Sequence, residues 1–330
     1  PALPQIFRGR ESELEQALNT LQLDSPRLAI LGMGGIGKTT LATAALNHPN
    51  VISRFPSRYF VSCHSVATVT DLFSIVASHV GLAKGTNSAT EIIKHLKYSP
   101  ATLLVLDNLE TVWESVGMKG EAEDFLSSLT DVQHLALVIT MRGAERPQKV
   151  AWSHPFLPPL KPLSPSAAVE MFLDIADPDY DEQHIHQILE LTGNLPLAIS
   201  LMASVVACEG YERTLERWQT ERTRLLSNGH DKQSSLDTSI MTSISGARMT
   251  PGALQLLALL CMLPDGLSEA ELIQSKLPIP KIHACKTTLL RTSLAYKNNL
   301  QHLTVLVPIR EYILIAHPVS AEIKIAFFNH

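Results

Sequence analysis

The sequence has few of the features that mark secreted, membrane-spanning or nucleic-acid-binding proteins. Only four cysteines occur in 330 residues, and Cys63, Cys208, Cys261 and Cys285 lie far apart with no CxxC pair. This spacing argues against a disulfide scaffold and a zinc site, and it predicts buried thiols in a reducing compartment. The formal net charge of −5 provides no overall field that would attract nucleic acid or anionic lipid.

Long apolar runs are missing as well. The longest, Leu195–Cys208 and Ala253–Leu263, are shorter than a transmembrane helix, and no charged-then-apolar signal segment opens the chain. We therefore expect a cytoplasmic protein with no membrane partner. Because the sequence begins without methionine and stops just after the apolar run 323–328, we also expect it to be a piece of a longer protein.

The composition that remains is globular, with 45% hydrophobic and 18% charged residues, and the length suits two or three domains. The most informative stretch is 27–47, which has the pattern strand, glycine loop, helix. The apolar run Leu28–Leu31 predicts a buried parallel strand, and Leu41–Leu46 favours helix. Between them, Gly32-x4-Gly37-Lys38-Thr39 is a Walker A phosphate-binding loop.

This loop predicts a site for a polyphosphate and a magnesium ion. Several backbone N–H groups can converge on one anion only where glycine lets the chain bend, and the following helix adds its positive dipole end. Lys38 would place a positive charge on the outer phosphates, and Thr39 would offer a hydroxyl to Mg²⁺. The other candidate phosphate-binding residues of the loop are Gly32, Gly34, Gly35, Ile36, Gly37 and Thr40.

The stretch 27–160 predicts an α/β domain with a parallel sheet. Further strand candidates at 58–63, 102–107, 135–140 and 156–160 are separated by segments that include helical patterns, and such crossovers join parallel strands. Ligands of these sheets bind at the carboxyl ends of the strands. Because the glycine loop, Asp107 and Arg142 each follow a strand end, we expect them to form one site.

The residues around the third strand predict how the site would treat a triphosphate. Asp107 has the position of a Walker B carboxylate, which would hold magnesium opposite Thr39. Many P-loop ATPases follow it with an acidic residue that orients the attacking water, but Asn108 cannot accept a proton. Glu110 could take this role if the backbone turns suitably, and otherwise it is a surface residue. We therefore expect weak or slow ATP hydrolysis.

Arg142 follows the fourth strand, where an arginine can reach a γ-phosphate and sense its presence. The alternative for Arg142 is an ordinary surface arginine. Together with Asp107 and Glu110, it completes the set of candidate catalytic residues.

The remainder of the chain predicts smaller units around this domain. The segment 1–26 contains an amphipathic helix pattern at 11–23. The stretch 161–235 changes to helix-only patterns punctuated by proline, which predicts a helical bundle ending in a polar linker at 228–235.

The last part, 236–330, holds two apolar helix patterns, two short strand patterns and a helix from Pro308. Helices followed by a small hairpin suggest a winged-helix domain. The whole chain is therefore predicted to be a P-loop sheet domain followed by a helical bundle and a winged helix.

Taken in order, these motifs resemble those of the NB-ARC class of STAND P-loop ATPases, which includes plant resistance proteins, apoptosis activators and fungal NOD-like receptors. Phe7-x-Gly9-Arg10-Glu11 resembles the family motif that lines the adenine pocket. Thr140-Met-Arg142 resembles its sensor pair. Gly193-Asn-Leu-Pro196-Leu197-Ala198 resembles its GLPLA-type motif, whose proline packs on adenine. The order and spacing of the motifs make the resemblance specific, and it is greatest to the fungal members.

The resemblance implies a switch that binds ADP or ATP with Mg²⁺ in innate immunity and programmed cell death. ADP would favour a closed form, and ATP an open form that oligomerises. The family's adenine-pocket positions correspond here to Phe7, Gly9, Arg10, Pro196 and Leu197. Sensor and effector domains would lie outside this sequence.

One family motif departs from the pattern. The positions of the family's Met-His-Asp hold Val305, Leu306 and Val307, so the histidine that contacts the ADP β-phosphate is absent, although His302 lies nearby. This departure leaves open how a winged helix would hold the ADP form.

Two other classes of function fit part of the pattern. An ATP-dependent DNA-binding transcription regulator could use a winged helix, but the basic residues of 248–330 are scattered among acidic ones, so we expect no nucleic-acid partner. A cycling AAA-type ATPase would need fast hydrolysis, against which Asn108 argues.

Overall fold

A computed structural model describes residues 1–83, 85, 88–115, 117–176, 182–226, 236–275, 277–298 and 300–328. The chain forms two compact units, Pro1–Gly32 with Gly37–Leu160, and Met33–Ile36 with Lys161–His330. The linker predicted at 228–235 lies outside the described residues. The predicted division of the chain into domains, including a boundary between 235 and 236, stays a prediction.

A parallel four-stranded sheet forms the centre of the first unit, which confirms the predicted α/β class. Its strands are β1 Arg27–Gly32, β2 Ser57–Ser62, β3 Thr102–Asp107 and β4 Leu135–Arg142. They lie in the order β1-β4-β3-β2. Strand β3 is buried at every residue because it is central and covered on both faces. The register pairs Gly32 with Arg142 and Ser62 with Asp107, so these strand ends share one edge of the sheet.

Helices cover this sheet and complete its core. They are α1 Glu11–Leu21, α2 Lys38–Leu46, α3 Pro49–Arg54, α4 Val69–His79, α5 Ala89–Lys97, α6 Glu110–Trp113 and α7 Lys119–Thr130. Leu72, Ile92 and Leu126 from three of these helices are buried in one apolar cluster with Leu104 and Ile139 of the sheet. Helix α1 packs against α2 and β1, so the segment before the sheet belongs to the same unit.

The prediction of a fifth strand at 156–160 is wrong. Within that described segment Leu160 alone forms a bridge, pairing with Gly32, and its N–H donates to the carbonyl of Leu31 at 2.8 Å. Pro158 and Pro159 have no N–H donor and cannot extend a ladder of hydrogen bonds.

The second unit is mainly helical. Its helices are α8 Pro165–Leu173, α9 Glu182–Thr192, α10 Pro196–Glu209, α11 Tyr211–Glu221, the 3₁₀ helix Arg222–Leu226, α12 Leu236–Ile244, α13 Pro251–Cys261, α14 Glu269–Gln274, α15 Ile282–Arg291, α16 Val307–Ala316 and α17 Ala321–Phe328. Strands β5 Tyr296–Lys297 and β6 Leu303–Thr304 form an antiparallel hairpin. Helix α13 packs against α15 and α16. Helices with a small hairpin agree with the predicted pattern, and the winged-helix assignment stays a prediction.

The thiols differ from the prediction at one position. Cys63, Cys261 and Cys285 are buried, whereas Cys208, near the end of α10, is exposed. Burial raises the pKa of Cys63 and of Cys261 to about 12, so both thiols stay protonated and unreactive at neutral pH. Among the described residues, no helix combines the length and the apolar character needed to cross a bilayer.

Candidate functional site

The glycine loop adopts a conformation that few other residues permit. Gly35 and Gly37 have φ angles of 75° and 96°, in the left-handed region where a side chain is strained. Gly37 is the N-cap of α2, and its carbonyl accepts the N–H of Leu41 at 3.0 Å as the helix begins. The first N–H groups of a helix have no acceptor inside it, so this end of α2 is suited to an anion.

Lys38 is a buried cation next to this loop. It is 5% exposed, and its Nζ donates to the carbonyl of Gly32 at 3.0 Å. Burial lowers the pKa of Lys38 to about 8, the charge of Glu110 opposes this shift, and Arg142 adds to it. A phosphate bound beside this buried amine would strongly stabilise its protonated, positively charged form.

The proposed magnesium ligands lie in direct contact. Thr39 Oγ1 donates to Asp107 Oδ1 at 2.8 Å, and Thr140 Oγ1 donates to the same oxygen at 2.6 Å. Thr140 Oγ1 in turn accepts the N–H of Asn108 at 3.0 Å. A carboxylate beside a hydroxyl is the hard-oxygen donor set that Mg²⁺ prefers, with the other ligands supplied by phosphate and water. These residues therefore fit the ion that the sequence predicts.

The carbonyl of Gly32 connects the glycine loop to the end of β4. It accepts Lys38 Nζ at 3.0 Å and the N–H of Gly143 at 3.1 Å. Because Gly143 follows Arg142 directly, this shared acceptor connects the backbone beside the predicted sensor arginine to the predicted phosphate-binding lysine.

A sharp turn after β3 brings Glu110 to the same edge of the sheet. Asn108 has a φ of 56°, a left-handed conformation that asparagine tolerates better than most residues. The N–H of Leu109 then donates to the carbonyl of Thr140 at 3.0 Å. Glu110 begins α6 and is buried, so the alternative that it is an ordinary surface residue is wrong.

Glu110 and Arg142 form an ion pair that the sequence alone did not reveal. Arg142 Nε donates to Glu110 Oε1 at 3.1 Å, and their side chains are only 17% and 10% exposed. Arg142 is therefore not an ordinary surface arginine either. The available signal was that both residues follow strands predicted to be parallel, but spacing could not show that the two strands are neighbours.

The predicted adenine-binding residues of the N-terminal segment lie just ahead of α1. Phe7 is half-buried, and Gly9 has a φ of 64°. Arg10 is buried, and its Nη1 donates to Glu13 Oε1 at 3.0 Å. Burial lowers the pKa of Arg10, while the charge of Glu13 opposes that shift. The role of this segment in holding adenine stays a prediction.

The residues of the predicted GLPLA-type motif lie against the tip of the glycine loop. Pro196 is the first residue of α10, and the N–H of Leu197 donates to the carbonyl of Gly35 at 3.1 Å. A Cβ placed on Gly35 would lie 2.9 Å from Leu197 Cβ. The structure thus brings Leu197 to the loop that is predicted to bind phosphate.

The segment in place of the family's Met-His-Asp is apolar and packed. Val305 and Leu306 are buried, and a Cβ on Gly193 would lie 3.2 Å from Pro308 Cδ. His302 Nδ1 lies 3.2 Å from the carbonyl oxygen of Asp265. The residues of this segment therefore pack against Gly193, and their correspondence to the family's Met-His-Asp stays a prediction.

Comparisons with known proteins agree with this geometry. The family described as NB-ARC domain matches residues 10–130. The disease resistance protein RPS5 of Arabidopsis thaliana is 26% identical over 232 residues, which is 66% of this chain and 25% of that protein. An uncharacterized WD repeat-containing protein of Nostoc is 26% identical over 229 residues, which is 61% of this chain and 18% of that protein. The chain therefore spans a quarter or less of the length of these relatives.

A solved structure shows the same fold along most of the chain. The Walker-type ATPase PABY2304 of Pyrococcus abyssi has a TM-score of 0.68 at 15% identity, covering 95% of this chain and 98% of that chain. The resemblance to fungal members stays a prediction. The Walker A loop and the Walker B carboxylate are those of a P-loop ATPase, and residues 10–130 of this chain match the NB-ARC domain family.

Proposed function

We propose that this chain is an adenine-nucleotide switch of a signalling protein. The observation that carries the proposal is the contact of the Thr39 hydroxyl with Asp107 at 2.8 Å, beside the buried Lys38. A hydroxyl on a carboxylate next to a phosphate-binding loop is the arrangement that holds Mg²⁺ on a nucleotide.

Each residue of the site has a role in this proposal. Lys38 and the loop N–H groups bind the phosphates, and Thr39 with Asp107 binds Mg²⁺, which neutralises phosphate charge when it is present. Arg142 contacts the γ-phosphate and so distinguishes ATP from ADP. The adenine is held by Phe7, Gly9, Arg10, Pro196 and Leu197.

The switch works through differential affinity. A ligand shifts a conformational equilibrium only by the ratio of its affinities for the two states. Inverting a population from 1:99 to 99:1 takes a ratio of roughly 10⁴. ADP favours a closed form, and ATP, through its additional contact with Arg142, favours an open form that self-associates. Hydrolysis is slow because Asn108 stands where many P-loop ATPases carry the acidic residue that orients the attacking water, so each state persists.

The biological setting is part of the proposal. One relative is named a disease resistance protein, which supports a role in innate immunity. We include programmed cell death in the proposal because the resemblance of the motifs implies it. Since the chain spans only 25% of that relative, sensor and effector domains belong to other parts of a longer, cytoplasmic protein.

Light scattering during size-exclusion chromatography tests the proposed switch. We expect a monomer with Mg²⁺ and ADP, and a larger species with Mg²⁺ and a non-hydrolysable ATP analogue. Lys38→Ala should give the same elution profile with either nucleotide. Identical molar masses for the wild-type protein under both conditions, with nucleotide binding verified, would contradict the switch.

A further inference from the structure

We propose that Glu110 is the carboxylate that orients and deprotonates the attacking water when this site hydrolyses ATP. Glu110 would thereby replace the acidic residue that many P-loop ATPases carry at the position of Asn108. This inference rests on the proposed nucleotide switch, and it identifies the residue that would carry out the slow hydrolysis of ATP.

The backbone after β3 places Glu110 at the site. The left-handed conformation of Asn108 reverses the chain, and the hydrogen bond from Leu109 N–H to the carbonyl of Thr140 fixes the turn at the end of β4. Helix α6 then begins at Glu110, which is 8% exposed. The turn therefore buries the carboxylate of Glu110, two positions beyond Asn108, beside the end of β4. If β3 had continued in an extended conformation, this carboxylate would lie away from the site.

The two carboxylate oxygens of Glu110 have different surroundings. Oε1 accepts Arg142 Nε at 3.1 Å. Oε2 is buried and has no hydrogen-bond partner in the part of the chain that the structure describes. A buried acceptor without a donor is costly, so this oxygen is suited to a ligand that donates a hydrogen bond. A phosphate oxygen cannot donate one, whereas a water molecule can.

The charge of Glu110 acts where the outer phosphates would lie. Glu110 raises the pKa of Lys38 more than Asp107 does, although burial lowers that pKa overall. Glu110 also pairs directly with Arg142. It therefore contacts Arg142 directly and acts by its charge on Lys38, the two cations that are proposed to bind the outer phosphates.

The chemical step follows from this placement. The water oxygen forms a bond to the γ-phosphorus, and the bond from that phosphorus to the β,γ-bridging oxygen breaks. Its electron pair stays on the bridging oxygen, which becomes a terminal oxygen of ADP. The proton of the water passes to Glu110 Oε2 and is later released to solvent. No oxidant or further reactant is needed.

A different role for Glu110 would be to position Arg142 alone. In that case its loss would weaken the binding of ATP relative to ADP, because the arginine would no longer be held toward the γ-phosphate. A catalytic carboxylate instead affects the rate of the bound complex and leaves both affinities nearly unchanged. The split between affinity and rate therefore separates the two roles.

The experiment compares Glu110→Gln, Glu110→Asp and the control Asp124→Asn in the purified chain. Asp124 forms a surface ion pair with Lys149 in the same unit, so its neutralisation removes one negative charge outside the site. Fluorescent ATP and ADP analogues give both dissociation constants, single-turnover assays with labelled ATP give the rate, and thermal melting reports folding. We expect Glu110→Gln to lower the rate by about 100-fold, with both dissociation constants within about threefold of the wild-type values.

Glu110→Asp keeps the carboxylate but withdraws it by one methylene, so we expect an intermediate rate. Asp124→Asn should match the wild-type protein in rate and affinity. If Glu110→Gln does not fold, Glu110→Asp decides the test, and a rate equal to that of the wild type would overturn the inference.

Three further results would overturn the catalytic role. They are an unchanged rate in Glu110→Gln, a selective loss of ATP affinity that accounts for the slower rate, and a wild-type protein that binds ATP without hydrolysing it. In each case the nucleotide switch itself would stand. A wild-type protein that binds neither nucleotide would instead refute the proposed function, and the inference with it.

Discussion

Thr39 and Asp107 are 68 positions apart in the sequence, yet the hydroxyl of one donates to the carboxylate of the other at 2.8 Å. The contact arises because Thr39 lies in the first turn of α2 while Asp107 ends the central strand β3. Thr140, in the strand between β1 and β3, donates to the same carboxylate oxygen. Two hydroxyls from separate segments therefore converge on one oxygen of Asp107, which makes this carboxylate the centre of the proposed site.

The Thr39–Asp107 pair predicts how magnesium contributes to nucleotide affinity. Thr39→Ala removes a proposed ligand, so we expect at least about a tenfold loss of the Mg²⁺-dependent gain in ATP affinity. Titration of a fluorescent ATP analogue with and without EDTA measures this gain. Thr39→Ser keeps the hydroxyl and should behave like the wild-type protein. Equal Mg²⁺ dependence in Thr39→Ala and Thr39→Ser would exclude Thr39 as a ligand.

The lowered pKa of Lys38 predicts a pH dependence of binding. Burial lowers this pKa to about 8, and a bound phosphate would raise it again because the charges are opposite. Near pH 7 most of the Lys38 amines are already protonated, so nucleotide binding takes up only a small fraction of a proton per molecule there. Above pH 8 the amine must gain a proton on binding, so affinity should fall by up to about tenfold per pH unit.

Calorimetry in two buffers of different ionisation enthalpy measures the number of protons taken up. We expect an uptake approaching one proton per nucleotide at about pH 9, and much less at about pH 7. Affinity that stays constant from pH 7 to pH 9, without proton uptake, would show that the charge of Lys38 does not contribute.

Gly35 predicts a matched pair of glycine substitutions. Gly35→Ala adds a Cβ at a φ of 75°, 2.9 Å from Leu197 Cβ. The left-handed conformation alone costs an alanine about 1–2 kcal/mol, and the contact forces the loop to shift, so nucleotide affinity should fall. Gly120, in helix α7, has no heavy atom within 4 Å of an added Cβ. Gly120→Ala should therefore leave affinity unchanged and stabilise the fold by about 0.5–1 kcal/mol.

Nucleotide titrations and chemical denaturation of both glycine variants provide the two measurements. Equal affinities in Gly35→Ala and Gly120→Ala would contradict the assignment of Gly35 to the phosphate-binding loop.

The parts of the fold that follow local rules could be predicted from the sequence. Apolar runs at Leu28–Leu31 and 102–107 identify buried strands because parallel strands are covered on both faces. Proline at the start of a helix identifies α10 and α13, since its missing N–H costs nothing there. Helix α7 was not predicted, and its sequence mixes Gly120 and several charged residues with the apolar ones.

The contacts between strands could not be predicted in the same way. The pairing of Glu110 with Arg142 depends on β3 and β4 being neighbours and on the left-handed turn at Asn108. Both conditions are set by the packing of the whole sheet, whereas spacing along the chain records only that each residue follows a strand. The motifs therefore identified candidate residues, and the fold determined which of them touch.

The central claim is that the glycine loop and Lys38 bind an adenine nucleotide. Calorimetric titration of the purified chain with ATP and with ADP, each with Mg²⁺, tests it most directly beside Lys38→Ala and Lys38→Arg. We predict saturable binding to the wild-type protein and no binding to either variant. Lys38→Ala removes the charge, and the larger arginine of Lys38→Arg does not fit the buried site of the lysine. Circular dichroism should show that both variants keep the fold. Absence of binding heat in a wild-type sample that also releases no purine on denaturation, or tight ADP binding by Lys38→Ala, would contradict the account.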